Sequence, residues 1–143
     1  MKKLNFELVP DGCWYSNLRT VLPAKLWNYV RKDAIKRSGG KCTVCGRETD
    51  KLEAHERWSY DAKKGVQKLE DVVAVCHDCH AAIHIERTEL KGNPEKAEDH
   101  YMKVNGCSYA EMKKDRSDAN RLQKERNQVP EWKLDISWLK NLQ

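Results

Sequence analysis

Hydrophobic and polar residues alternate along this chain with periods that change from helical to extended and back. Between Pro23 and Gly40, apolar residues recur at helical spacing, with Leu26, Val30 and Ala34 on one stripe and basic residues outside it. Proline in a first turn and glycine after a last turn are typical helix limits. The pattern predicts an amphipathic helix that ends before the two glycines.

The middle of the chain changes to extended patterns. Residues 51–58 and 69–76 favour two strands, with Gly65 in the connection between them, and this spacing suits a hairpin better than a helix. Residues 79–90 then have helical composition and end before Gly92. The order is therefore strand, strand, helix, with a pair of cysteines at each end of the hairpin.

The last third is predicted to be mainly helical. Residues 94–105 lie between an Asn-Pro start and an Asn-Gly stop, and Ser108 with Glu111 matches a capping box that begins a second helix. Residues 131–142 alternate at period two, which predicts a closing strand or an extended arm. Residues 1–22 are expected to form an irregular or short-strand arm. Together these elements predict the α+β class.

Composition limits the number of domains and the compartment. With 143 residues, the chain suits a single domain over 1–143, in which residues 40–86 form the central core. It has no apolar run of the roughly 20 residues that a membrane span needs, and its beginning lacks an apolar signal segment. We therefore expect a cytoplasmic protein with no membrane partner. A net charge of +5 permits a nucleic-acid partner but does not establish one.

The cysteines predict a metal site. In a reducing compartment, two C-x-x-C pairs are more typical of metal ligands than of disulfides. Four thiolates complete the tetrahedral coordination of a structural Zn²⁺. The predicted ligands are Cys42, Cys45, Cys76 and Cys79, with 30 residues between the two pairs. In a competing assignment, His77 or His80 replaces one of the cysteines.

Three histidines remain for a second role. His80 and His84 are four residues apart on the predicted helix, so they share a face and can approach one ion together. His55 lies in the first predicted strand, within the segment LEAHERWSY. The order is cysteine pair, strand histidine, cysteine pair, helix histidines.

This order resembles the HNH endonuclease family, the zinc-bound members of the ββα-metal nucleases. The resemblance covers roughly residues 40–86, about a third of the chain. It implies a central ββα-metal motif held by the four-cysteine zinc site and flanked by N-terminal and C-terminal helices. It also implies phosphodiester hydrolysis in DNA.

The resemblance gives each site residue an expected role. His55 matches the general base, and Asp71 stands where the family has an asparagine that orients this base. His80 and His84 match the ligands of the catalytic Mg²⁺ or Mn²⁺. Arg57 is a candidate for a contact with a phosphate oxygen through its guanidinium.

The chain departs from the family pattern at Ala54. The family usually has a metal-binding side chain at this position, and a methyl group cannot bind a metal. Either Glu53 or Glu56 supplies the missing oxygen ligand, or the register shifts, so that His55 becomes a ligand and Glu56 takes the position of the base. The sequence leaves these alternatives open.

Three functions are consistent with these features. The first is a metal-dependent DNA endonuclease of HNH type, of the stand-alone kind found in phages and bacteria. The second is a catalytically silent zinc module that binds nucleic acid or a protein partner, for example a phage-encoded inhibitor of a host defence system. The third, a plain zinc ribbon in a larger assembly, leaves the three histidines unexplained. A homodimer is compatible with all three.

Overall fold

A computed structural model describes residues 2–142 and confirms the α+β class. After a short 3-10 turn at Asp11–Cys13, the elements follow in chain order. They are α1 (Leu18–Val21), α2 (Ala24–Arg37), β1 (Leu52–Asp61), β2 (Val66–Cys76), α3 (His77–Ile83), α4 (Ile85–Leu90), α5 (Pro94–Asn105), α6 (Tyr109–Arg126) and β3 (Lys133–Asp135), with a final 3-10 turn at Ser137–Asn141.

The predicted hairpin is confirmed and is longer than expected. Strands β1 and β2 are antiparallel, and His55 pairs with Val73. The register shifts between Arg57 and Trp58, as at a β-bulge, which locally increases the twist of a strand. Strand β3 pairs with β2 in parallel, so both C-terminal alternatives are partly confirmed: a three-residue strand within an otherwise irregular arm.

Helix α2 is confirmed, but its buried stripe is rotated from the prediction. Trp27, Val30 and Ala34 are buried, whereas Leu26 is 42% exposed, so its predicted place in the stripe is wrong. Neighbouring positions on a helix lie about 100° apart, so only one of the two large residues can face the sheet. The bulkier Trp27 faces it.

Two apolar clusters hold the hairpin in place. One joins Val73 and Val75 of β2 to α3, α5 and the N-terminal arm, where Phe6 stacks on Tyr101 with ring centroids 4.0 Å apart. The other joins α2 and the 3-10 turn at 137–141 to Leu69 and Val72 of the same strand. Strand β2 therefore belongs to both cores, as expected of a central strand.

The helix predicted after the cysteines forms in two pieces. Its backbone leaves the helical region at His84, with φ −95° and ψ 51°, and α4 begins at the next residue. Both C-terminal helices are confirmed, and Ser108 and Glu111 form the predicted capping box. Among residues 2–142, no helix has the length and apolar character that crossing a membrane requires.

The N-terminal arm is anchored rather than free. It contains no strand within residues 2–22, so the short-strand alternative is not realised there. The backbone N–H of Glu7 donates to the carbonyl of Ile83 at 2.8 Å, next to the break between α3 and α4. This bond brings the arm to the end of the helix that carries the two predicted histidine ligands.

Candidate metal centres and the adjoining cleft

The four predicted cysteines lie together. Their sulfur atoms are all within 4.8 Å of one another, and Cys45 Sγ is 3.7 Å from Cys76 Sγ. Four sulfurs bound to one zinc ion at about 2.3 Å lie about 3.8 Å apart in a tetrahedron. None of the six cysteines is in a disulfide. The arrangement is therefore compatible with a structural metal site such as zinc.

Local backbone geometry prepares the first cysteine pair. Cys42 N–H donates to the carbonyl of Arg47, and Gly46 N–H donates back to the carbonyl of Cys42, both at 2.9 Å. Gly46 has φ 79°, a conformation that residues with a Cβ rarely adopt. The tight turn directs Cys42 and Cys45 toward the second pair, which lies where β2 ends and α3 begins.

The surroundings favour the thiolate form at Cys42 and the thiol form at Cys76 and Cys79. A hydrogen bond from the Cys79 thiol lowers the pKa of Cys42 to about 4, whereas burial raises the pKa of Cys76 to about 11. His100 Nε2 lies 3.2 Å from Cys79 Sγ, within hydrogen-bonding range for sulfur. Outer hydrogen bonds of this kind orient metal ligands, and sequence spacing gave no sign of His100.

The three remaining predicted histidines form a second cluster. One ring nitrogen from each of His55, His80 and His84 lies within 4.8 Å of the others. The ring centroids are 4.9–5.4 Å apart, and the planes are inclined at 61–69°, so each pair of rings meets edge to face rather than stacking. Three imidazoles in this arrangement can bind one metal ion.

A helical hydrogen bond holds two of these histidines on the same side of α3. His84 N–H donates to the carbonyl of His80 at 3.0 Å, which keeps the two side chains one helical turn apart on the same side. Burial lowers the pKa of both rings, and that of His84 lies well below its usual value. Both rings are therefore neutral near pH 7, the form in which imidazole binds metals.

Glu53 holds His80 in place. Glu53 Oε1 is 2.7 Å from His80 Nδ1, and Glu53 Oε2 is 2.9 Å from Nδ1 of the exposed His77. Burial raises the pKa of Glu53, but the bonds to His80 and His77 outweigh burial and lower it overall. A carboxylate that accepts from Nδ1–H leaves the Nε2 lone pair of His80 for a metal.

His55 is the most enclosed of the three histidines. It is 2% exposed, and its Nε2 lies 3.3–3.4 Å from the carboxylate oxygens of Glu7 on the N-terminal arm. Its Nδ1 is buried without a hydrogen-bond partner. A buried ring nitrogen left unpaired costs stability.

Two cavities meet at this cluster. The first, of about 690 Å³, is called here the large cleft, and the second, of about 340 Å³, the small cavity. Residues common to both are Arg19, Trp27, Ala54, His80, His84 and Arg87. His80 and His84 are therefore accessible from both cavities, whereas His55 lines neither and lies behind them.

Five basic side chains line the large cleft. Arg19, Arg31, Arg87, Lys91 and Lys96 contribute to its wall. Its acidic residues, Glu53 and Asp78, are already paired with histidines or with basic side chains. The cleft therefore offers positive charge next to the histidine cluster, which suits a polyanion.

Three predicted site residues lie elsewhere or have other contacts. Asp71 is not brought to His55: its Oδ1 accepts from Val72 N–H at 2.8 Å and lies 4.0 Å from Arg37 Nη1. Arg57 pairs with Asp71 across the hairpin, is exposed, and lines neither cavity. Glu56 lines the small cavity and accepts from Leu18 N–H at 3.0 Å. Burial raises the pKa of Glu56.

The N-terminal arm and α1 contribute functional candidates that sequence reasoning missed. Glu7 contacts His55, and Arg19 lines both cavities. Neither residue belongs to a spaced motif, so no local signal marked it. Arg87, three residues after His84, could have been found as a basic residue one turn beyond a ligand.

No protein-family model, curated protein or solved structure matches this chain.

Proposed function

We propose that this protein is a metal-dependent DNA endonuclease of HNH type, with Cys42, Cys45, Cys76 and Cys79 holding a structural zinc ion. The observation that carries the proposal is the convergence of His55, His80 and His84 where two cavities meet beside a cationic cleft. A structural zinc module does not need a second cluster of buried imidazoles. A phosphodiester hydrolase needs a metal ligand set next to a phosphate-binding surface.

We assign His55 to the ligand set rather than to the role of base. A general base must reach the attacking water, but His55 is 2% exposed and lines neither cavity. Its unpartnered Nδ1 belongs to the ring that faces His80 and His84. This choice corresponds to the register-shift alternative, and Glu7 then takes the orienting role expected of Asp71.

Glu56 is the base in this arrangement. Its carboxylate lines the small cavity together with His80 and His84, and burial raises its pKa toward the range useful near neutrality. The N–H of Leu18 and the side chain of Trp58 both hydrogen-bond to this carboxylate and hold it in place, and in the proposal a water molecule binds to it from the small cavity. Glu56 takes the proton of this water as the water oxygen attacks phosphorus and the 3′ oxygen departs.

The donor set favours a transition-metal ion over Mg²⁺. Imidazole ligands suit Zn²⁺, Ni²⁺ and related ions, whereas Mg²⁺ prefers carboxylate and water oxygens. Within the described residues, the histidine cluster contains no carboxylate. A bound divalent ion supplies Lewis-acid stabilisation to the phosphate and the departing oxygen. Arg19 and Arg87 bind the phosphate next to it.

Plasmid cleavage tests the proposal. Zinc-loaded wild type is assayed with added Mg²⁺, Mn²⁺, Co²⁺, Ni²⁺ or Zn²⁺, beside His84→Ala and the matched control His77→Ala. We expect nicking that depends on the added ion, is lost in His84→Ala and is retained in His77→Ala, since His77 is largely exposed and outside the cluster. Absence of cleavage with every ion, from folded protein, would refute the nuclease.

Separate variants distinguish the base from the ligands. Glu56→Gln keeps the acceptor for Leu18 N–H, so we expect it to fold, to bind Co²⁺ as wild type does, and to cleave at least about 100-fold more slowly. His55→Gln should lose Co²⁺ affinity as well as cleavage. Normal Co²⁺ binding by His55→Gln would return His55 to the role of base.

The second candidate function is the catalytically silent module. Ala54 favours it, because this residue lines both cavities where the family usually has a metal-binding side chain. On this reading the cationic cleft binds nucleic acid without cutting it. The plasmid assay combined with a DNA-binding measurement distinguishes the two functions.

A further inference from the structure

The small cavity has a character that metal binding and hydrolysis do not explain. Apart from the residues that it shares with the large cleft, its wall includes the aromatic side chains of Trp14, Trp58 and Tyr60. Trp27, shared by both cavities, adds a fourth aromatic ring. This concentration of aromatic residues at a cavity lies directly beside the proposed ligands His80 and His84.

One wall residue of the small cavity carries an unsatisfied polar atom. Gln67 is 2% exposed, and its Nε2 donates to the carbonyl of Ser16 at 3.0 Å. That bond fixes the orientation of the amide, and Oε1 is left buried without a partner. Buried amide oxygens in folded proteins nearly always accept a hydrogen bond. Gln67 belongs to the wall of the cavity, so a small shift of this wall on binding would present the unpartnered acceptor to a ligand N–H.

We propose that the small cavity binds a single unpaired nucleobase of the nucleic-acid strand whose phosphate lies at the histidine cluster. This inference rests on the proposed function for the position of the phosphate. Arg19 and Arg87 line both cavities, so a strand held by them at its phosphate can place the adjoining base in the small cavity. The aromatic rings stack on the base, and Gln67 Oε1 accepts from its edge.

The size and the chemistry of the small cavity both suit a nucleobase. A cavity of about 340 Å³ is at the lower end for small-molecule sites and admits a flat ring system, not a duplex. Every nucleobase has a π face, so stacking on aromatic residues retains strands with little regard to sequence. A base that is already unpaired enters at the lowest cost, because no pairing has to be broken.

Binding to a duplex with one extrahelical 2-aminopurine tests the inference. The comparison is with the same duplex carrying an abasic residue at that position, without added divalent ion so that no strand is cut. We expect quenching of 2-aminopurine fluorescence on binding, because the base stacks on tryptophan. We also expect about tenfold tighter binding than for the abasic duplex, in line with the stacking of one base.

Two neighbouring residues provide a matched pair of variants. Trp14 is 37% exposed and lines the small cavity, whereas Tyr15 is 84% exposed and is not part of its wall. We expect Trp14→Ala to lose most of the preference for the unpaired base and Tyr15→Ala to keep it. Gln67→Met, which removes the unpartnered acceptor, should reduce the preference in a second, independent way.

The outcomes separate this inference from the proposed function. Equal binding of the two duplexes, with no quenching, would overturn the nucleobase site even if the plasmid is cleaved. Preference and quenching without plasmid cleavage would support the nucleobase site and overturn the nuclease. Loss of the preference in both Trp14→Ala and Tyr15→Ala would also overturn the site, because the effect would not depend on the small cavity.

Discussion

The contact between Glu53 and His80 gives the sharpest single-residue prediction. Replacing Glu53 with glutamine keeps the size of the side chain and removes its negative charge. In the wild type, Glu53 Oε1 accepts from His80 Nδ1–H at 2.7 Å, which directs the opposite ring nitrogen to the cluster. An amide is a weaker acceptor, and it can also present its NH₂ to Nδ1, which would favour the wrong tautomer.

The exposure of this contact sets how much metal affinity the Glu53→Gln variant should lose. Removing the outer hydrogen-bond partner of a metal-binding histidine costs 10–100-fold in metal affinity or activity as a rule of thumb. The Glu53 side chain is 40% exposed, so water replaces part of the lost interaction. We therefore expect the lower end of this range: about tenfold weaker Co²⁺ binding, or about 1.4 kcal/mol.

The assay is calorimetric titration of Co²⁺ into protein whose four-cysteine site is already filled with zinc. The control is His77→Ala, which removes the second partner of Glu53 but leaves the bond to His80 intact. We expect the Co²⁺ affinity of this control to stay within about twofold of that of wild type, since exposed ion pairs such as that of Glu53 with His77 contribute little free energy. Zinc content and thermal unfolding are measured in parallel to establish that both variants are folded.

Two results would refute the reasoning. If Glu53→Gln binds Co²⁺ as tightly as wild type, His80 does not depend on Glu53 for its orientation, or it is not a ligand. If His77→Ala weakens binding as much as Glu53→Gln, the effect comes from a general disturbance around Glu53 and not from its bond to His80.

Three further predictions concern other parts of the molecule. Cys42→Ser should lose the structural metal and cooperative thermal unfolding, because structural zinc contributes on the order of 10 kcal/mol to folding; metal content and calorimetry check this. Arg87→Ala should reduce the number of counterions released on DNA binding by about one, whereas Arg57→Ala should not, because only Arg87 lines the cavities. Measuring the DNA affinity at several salt concentrations tests this. Ser108→Ala should lower the free energy of unfolding by about 1 kcal/mol through loss of the capping box, while Ser117→Ala on the same helix should not, as urea denaturation would show.

Local motifs explain the part of the fold that the sequence predicted. The hairpin, the helices α2, α5 and α6, and the two cysteine pairs all carry signals within a few residues of themselves. The gathering of the four cysteines follows from the hairpin, because β1 begins opposite the end of β2: Leu52 pairs with Cys76. This register brings the turn that carries Cys42 and Cys45 next to the junction of β2 and α3, which carries Cys76 and Cys79.

Long-range contacts explain what the sequence could not predict. Glu7 lies 48 positions before His55, and long-range contacts of the N-terminal arm bring it there: the bond from its own N–H to Ile83 O and the stacking of Phe6 on Tyr101. Asp71 occupies the expected sequence position, but its carboxylate is held by Val72 N–H and lies close to Arg37 of α2. Which acceptor a carboxylate faces depends on the packing of other elements, and periodicity does not encode that packing.

The free-energy cost of the histidine cluster bears on the choice between nuclease and silent module. Burial lowers the pKa of His80 and His84, and His55 Nδ1 is buried without a partner. An unsatisfied buried polar atom costs about 1–3 kcal/mol, a considerable part of the stability of a small domain. The four-cysteine site gains nothing from this cost, since none of the three imidazoles is among its ligands. An ion bound by the three imidazoles would offset part of the cost of burying them. A second metal centre is therefore the explanation that we propose for the cluster, and it is the metal that the proposed hydrolytic function requires.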